Sequence, residues 1–251
     1  MVYYSSLVDL LPKDIECHFF DSIESTNLFL INRPFTNKVQ LCVTREQTQG
    51  KGQYGRLWES QKDRSIIFSI RRHFPQECNL NGLSLVVGLA IIKVLEKDCL
   101  VEGFKIKWPN DIFFEGKKLA GVLLENQMQS GNQSVVIGVG INYALDQSMK
   151  FEIPWTDLAK ITKTVPDIKL LTAEIINNIL VMSEHFSAFG FDDFQLDWKR
   201  YDMLQGKKVK YKDLKDFFEG EVVGVSSKGA LKILTKNGVK ELYSSGHIEY
   251  I

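Results

Sequence analysis

The chain has 251 residues, enough for one large domain or a domain with a small appendage. Folding at this size buries roughly 70% of the unfolded surface, so a core forms without disulfide or metal staples. Its 31 basic and 31 acidic residues cancel, which excludes a general attraction to nucleic acid or acidic membranes.

Cys17, Cys42, Cys78 and Cys99 show no C-x-x-C spacing, so buried thiols in a reducing compartment are expected. The opening residues lack the basic and apolar regions of a secretion signal. The longest apolar run, 83–95, is broken by Ser84, Gly88 and Lys93 and is too short to span a bilayer. A soluble, cytoplasmic protein is expected.

In chain order, Ser25-Thr26-Asn27 precedes Leu28-Phe29-Leu30-Ile31, the pattern of a hydroxyl cap opening a short helix. An apolar strand over 39–43 leads into a glycine-rich stretch, 47–58, and a second strand over 65–70 follows. Between 80 and 95, Leu83, Val86, Val87, Ala90, Ile91 and Val94 recur at helical spacing and predict an amphipathic core helix. Residues 104–108 alternate as a strand that Pro109 ends, and 111–125 read as a hairpin turning at Gly116. Residues 135–142 form a buried strand with Gly138 and Gly140 where something approaches the backbone. Helices are predicted over 170–186, with Leu171, Ile175, Ile179 and Met182 on one face, and over 191–204. After Gly206, short alternating runs with glycine turns predict a small β-barrel or sandwich. A boundary near Leu204 divides the chain into residues 1–203 and 204–251.

The glycine stretch Gln47-Thr48-Gln49-Gly50-Lys51-Gly52-Gln53-Tyr54-Gly55-Arg56-Leu57-Trp58 carries most of the functional information. Its glycines let backbone fold closely around a ligand, and Lys51 and Arg56 favour an anionic one. Gly50, Gly52 and Gly55 satisfy the dinucleotide spacing, but a strand, not a helix, follows. A phosphate-cradling Walker loop needs Lys and Ser or Thr after its last glycine, where this chain has Arg56-Leu57. Kinase motifs are missing as well. Lys107-Trp108-Pro109-Asn110-Asp111 groups a cation, an amide and a carboxylate at a strand end, and Lys118 opens Lys118-Leu119-Ala120-Gly121-Val122-Leu123-Leu124-Glu125. A turn at Gly116 sets Lys118 and Asp111 close on adjacent strands. His18, His73, His185 and His247 are scattered, without the i, i+4 pairing of a metal site.

Together, Ser25-Thr26-Asn27, the glycine loop through Trp58, KWPNDI, KLAGVLLEN and GVGIN resemble the biotin protein ligases in order and spacing. The resemblance runs from about Phe20 to the C-terminus. It implies an α/β (α+β) fold: a mixed-sheet catalytic domain of the biotin/lipoate ligase type with a small C-terminal SH3-like β-barrel. It also implies a two-step reaction, in which ATP activates biotin as biotinyl-5′-AMP and a carrier-domain lysine then accepts the biotinyl group. Fixed cations, with Mg²⁺ bound alongside the nucleotide, would offset the repulsion between carboxylate and triphosphate.

Carried over, the resemblance gives Ser25, Thr26, Asn27, Gln47, Gly50, Lys51, Gly52, Gln53, Lys118, Gly121 and Gly140 to biotin. Gly138 would also let backbone approach the ligand. Lys51, Gly52, Gln53, Arg56, Trp58, Asn110, Lys118 and Asn142 go to ATP and the adenylate. Lys118 and Lys51 would act on the phosphate and carboxylate oxygens, and Asp111 would orient or deprotonate the incoming amine. No resident metal site is implied. The partner would be the biotin carboxyl carrier protein of acetyl-CoA carboxylase or a related carboxylase, and an exposed sheet edge could pair with that carrier or with a second copy.

Two departures stand out. The family loop commonly reads Gly-Arg-Gly-Arg-x-Gly-Arg, and here Lys51 and Gln53 replace its first two arginines. Lysine lacks the planar fork and Gln53 the charge, so a looser hold on the adenylate is expected. Roughly twenty residues precede the first motif, too few for a helix-turn-helix domain, so a monofunctional ligase without operator binding is expected. The alternatives are a lipoate or octanoyl attachment enzyme and a non-catalytic biotin sensor. The basic run 207–212 reads as a solvated strand face or as a landing surface for an acidic carrier.

Overall fold

The computed structural model describes residues 6–34, 36–129, 132–212, 217–243 and 247–250. Strands β1 (Glu16–Phe20), β2 (Gln40–Thr44), β3 (Ser65–Phe74), β4 (Phe104–Lys107), β5 (Asp111–Phe114), β6 (Lys117–Gln129) and β7 (Asn132–Asn142) form one sheet in the order β1-β2-β3-β7-β6-β5-β4. β1 and β2 are parallel, joined through helix α1 (Thr26–Ile31), and the other neighbours are antiparallel, so the sheet is mixed.

Period-two alternation sorts this sheet into two faces. The cross-strand row Ile106, Ile112, Ala120, Ile141 and Ile66 is buried. Helix α2 (Leu83–Cys99) packs on that face, its Gly88 lying against Ile106, and α4 (Ile168–Phe189) packs on α2 and β3. The neighbouring row, Lys107, Asp111, Gly121, Gly140 and Ile67, therefore faces the other way. The short α1 covers part of that second face, through Leu30 against Cys42 and Val136. Two long helices thus make one face core and leave the other for a ligand.

The short α3 (Leu158–Ile161) starts at Asp157, whose buried carboxylate accepts from the backbone of Lys160 and Leu145. The helix expected over 191–204 is a 3-10 turn at Asp192–Phe194 followed by α5 (Gln195–Tyr201). It stops early because Asp202 leaves the helix, forms a bridge with Ile106 and accepts from the Leu204 backbone. β8 (Lys208–Lys212), β9 (Phe217–Val225), β10 (Leu231–Thr235), β11 (Gly238–Leu242) and β12 (His247–Tyr250) make an antiparallel sheet in the order β11-β10-β9-β8-β12. In β8, Val209 and Tyr211 are buried while Lys208 and Lys212 are exposed. Trp108 links the two sheets: its buried Nε1 donates to the Gly229 carbonyl at 3.1 Å.

Candidate functional site

The hairpin β5–β6 turns at Glu115 and Gly116, both with positive φ (47° and 74°), the two-residue turn that matches strand twist. Its register then shifts: Ile112 faces Ala120 but Phe113 faces Lys118, so Leu119 is an extra residue in β6. This bulge decides the chemistry. In unbroken alternation Lys118 would point to the core face, and the extra residue re-aims it to the same side as Asp111. Its ammonium lies 2.7 Å from Asp111 Oδ1, with both side chains about three-quarters buried (22% and 25% exposed). The strand-like segment after Pro154 pins its backbone: Lys118 N–H donates to the Pro154 carbonyl, and Thr156 N–H donates to Lys118 O, each at 2.9 Å.

Gly121 and Gly140 lie directly opposite each other and leave a flat floor beside this ion pair. The Trp58 indole lies on that floor. A methyl group at Gly140 would stand 2.3 Å from Trp58 Cε2, and one at Gly121 would stand 3.2 Å from Cζ3. Lys118 Nζ is 5.7 Å from the indole centroid. Trp58 ends the glycine loop, which closes on itself through Trp58 N–H to Gly50 O (2.9 Å) and Gly52 N–H to Arg56 O (2.7 Å). Lys118 therefore faces the loop and not bulk water. Trp58 Nε1–H is buried without a hydrogen-bond partner among the described residues, as expected of a group awaiting a ligand acceptor.

On the far side of the floor, α1 presents Ser25, Thr26 and Asn27, all at most 4% exposed. Ser25 caps the helix by accepting from Leu28 N–H. Thr26 donates through both N–H and hydroxyl to Gln47 Oε1, at 2.7 and 3.0 Å. Asn27 Nδ2 donates to Glu125 Oε2 at 2.7 Å, and its Oδ1 receives the Ser69 hydroxyl at 2.5 Å. Gly138 is obligatory beneath it, since a Cβ there would meet Asn27 Oδ1 at 2.1 Å. Arg71, fully buried, anchors α1 from below by donating to the Leu30 and Arg33 carbonyls at the helix's negative end.

Residues 19–142 match the model of the biotin/lipoate A/B protein ligase family. The bifunctional ligase/repressor BirA of Salmonella typhimurium is 31% identical over 231 residues, covering 90% of this chain and 71% of that protein. The chain belongs to the biotin protein ligase family. The BirA of Bacillus spizizenii is 32% identical over 212 residues, 82% of this chain, which spans 64% of that protein's length. A solved biotin protein ligase from Aquifex aeolicus, in complex with biotin and ATP, superposes with a TM-score of 0.79 at 29% identity. That superposition covers 94% of this chain and 98% of the other.

Set against the residues expected from sequence, the geometry brings Ser25, Thr26, Asn27, Gln47, Gly50, Trp58, Asp111, Lys118, Gly121, Gly138 and Gly140 around one floor. Asn110 and Asn142 flank it with their amide nitrogens already engaged, on the Val122 carbonyl (2.6 Å) and the Thr156 carbonyl (2.9 Å). Lys51 is exposed and, among the described residues, makes no ion pair or side-chain hydrogen bond. Gly52 and Gln53 are half-buried, and Arg56 is exposed. No cluster of three or more metal-type ligands occurs among the described residues. His18, His73 and His185 instead bond Glu16, the Thr36 carbonyl and Asp193, while the His247 side chain lies outside the described residues. Sequence reasoning missed Ser69 and assigned no role to Glu125. Ser69 carries a faint signal, as a lone polar residue inside the apolar run 66–70 of its strand.

Proposed function

We propose that this chain is an ATP-dependent biotin ligase that makes biotinyl-5′-AMP and transfers the biotinyl group to a lysine of a biotin carrier protein. One observation carries the reading: a lysine–carboxylate pair, Lys118 and Asp111, at the edge of a glycine floor roofed by the loop tryptophan. The polar wall of Ser25, Thr26, Asn27 and Gln47 suits the ureido ring, a compact group with donors and an acceptor. The floor of Gly121, Gly138 and Gly140, with Gly50, suits a thin apolar chain lying flat. Lys118 neutralises the oxygens of the attacking carboxylate and the α-phosphate, and Trp58 offers its unpaired N–H to one of them. Lys51, Gly52, Gln53 and Arg56 close over the adenylate when ligand orders the loop, and Asn110 and Asn142 hold the floor's outer wall on the nucleotide side. Asp111, released from Lys118 once phosphate takes that cation, orients the acceptor amine. Mg²⁺ arriving with ATP supplies further charge neutralisation.

The division into residues 1–203 and 204–251 is supported by the backbone, where Met203 bonds to Ile106 and Gly206 to Val222. No described helix is long and apolar enough to cross a membrane. Action in the cytoplasm on the carrier of acetyl-CoA carboxylase, as a monomer or homodimer, is part of the same proposal. Incubation with biotin and ATP, then with a purified carrier domain, is the test. Mass spectrometry is expected to detect biotinyl-5′-AMP and then a biotinylated carrier lysine. Acceptance of lipoate but not biotin would transfer the assignment to lipoate attachment, and binding without adenylate would leave a sensor.

A further inference from the structure

Beyond Asp111 the ligand face continues one more strand, to Lys107. Lys107 and Asp111 are directly opposed in the β4–β5 ladder, in the same row as the Gly121–Gly140 floor. Successive strands stand about 4.8 Å apart. Lys107 thus stands one strand beyond Asp111 and two strands outward from the strand that carries Lys118. It is half-buried and, among the described residues, has no ion-pair partner, although Asp111 is its cross-strand neighbour. Asp111 gives its close contact to Lys118 instead. Burial lowers the Lys107 pKa; Asp111 opposes that, and the nearby Lys118 and Arg56 cations each lower it further. The Lys107 ammonium stands 5.4 Å from the ring centroid of Tyr250, on the last strand of the C-terminal sheet. An ammonium held half out of water beside two other cations, without an anion of its own, is arranged for an anion that arrives with the ligand.

We infer that Lys107, steadied against the Tyr250 ring, binds the β- and γ-phosphates of ATP and stabilises pyrophosphate as it leaves. This rests on the ligase reading. In that step the biotin carboxylate oxygen bonds to the α-phosphorus, the bond to the β-phosphate bridging oxygen breaks, and pyrophosphate departs with the electron pair. Charge builds on the leaving group, which Lys107 meets from two strands outward of Lys118. The C-terminal sheet thus takes part in the first half-reaction through Tyr250.

The two half-reactions separate the roles. Pyrophosphate–ATP exchange reads the first, and transfer from added biotinyl-5′-AMP to a carrier domain reads the second, in which no pyrophosphate takes part. Lys107→Met is expected to raise KM for ATP and pyrophosphate roughly tenfold or more, the scale of one charge-assisted bond. Transfer should fall less than twofold, and Lys107→Arg should restore most of the exchange. Tyr250→Ala should raise the same two KM values by a smaller factor. Exchange unaffected in Lys107→Met, or exchange and transfer falling equally with no rescue by arginine, overturns the inference. Absence of exchange in the unaltered protein would strike the ligase reading itself. Should Lys107→Met fail to fold, Lys107→Gln carries the same comparison.

Discussion

Lys118 and Gly140 act at single atoms. Lys118→Met removes the only ammonium in contact with Asp111 among the described residues and leaves the fold's apolar face untouched. Adenylate formation should drop roughly 10²–10³-fold, the usual effect of deleting one preorganised charge, with little change in melting temperature. Retained activity would move the catalytic centre elsewhere. Gly140→Ala sets a methyl group 2.3 Å from Trp58 Cε2 and 2.6 Å from Nε1, so the indole must leave the floor. Overpacking of this kind costs about 1–3 kcal/mol of stability. Biotin affinity should fall at the same time, measured by calorimetry, with a shift in tryptophan emission reporting the displaced ring. Cys42 takes no part in any of this, because burial pushes its thiol up to about 12.

Among the elements, β1 is held by side chains as much as by its ladder. Glu16 accepts from Gln40 and Arg33 and meets His18, which also packs edge-on against Phe29. The Gln40 bond, with smaller help from Arg33 and His18 and against burial, lowers the Glu16 carboxyl below its ordinary 4.5. A depressed carboxyl stabilises the fold above its unfolded pKa, and that contribution disappears as pH falls through the folded value. Glu16→Gln should therefore lower the melting temperature near neutral pH, and the gap from the unaltered protein should close in acid. A gap independent of pH would show that shape, not charge, holds β1. The same strand escaped the sequence reading because all five of its residues are only half-buried, so no apolar alternation marks it.

At the scale of the whole molecule, Trp108 is the hinge pin of the KWPND segment. Its ring is 3% exposed and its Nε1 crosses to the Gly229 carbonyl in the β9–β10 turn of the second sheet. Trp108→Phe keeps an aromatic ring but strands that carbonyl, costing about 1–3 kcal/mol. Denaturant unfolding is expected to show one transition with an earlier midpoint. Two separated transitions would mean that the sheets fold independently and that the bond holds only their orientation. Lys107 and Tyr250 meet across the same junction, so loosening it should also raise KM for ATP.

By itself the sequence determined what local chemistry can carry. Glycine density, the capping triplet, the Gly116 turn, the long amphipathic helices and the family motifs all depend on neighbours within a few residues. Tertiary structure alone decided which way Lys118 points, because one extra residue in β6 overrides strict alternation. It decided too that Trp58 rests on paired glycines from two strands, that Ser69 and Glu125 flank Asn27, and that Lys107 meets the C-terminal sheet. Those contacts join residues distant in the chain. Their geometry follows from strand register and packing, quantities that no local window of residues contains.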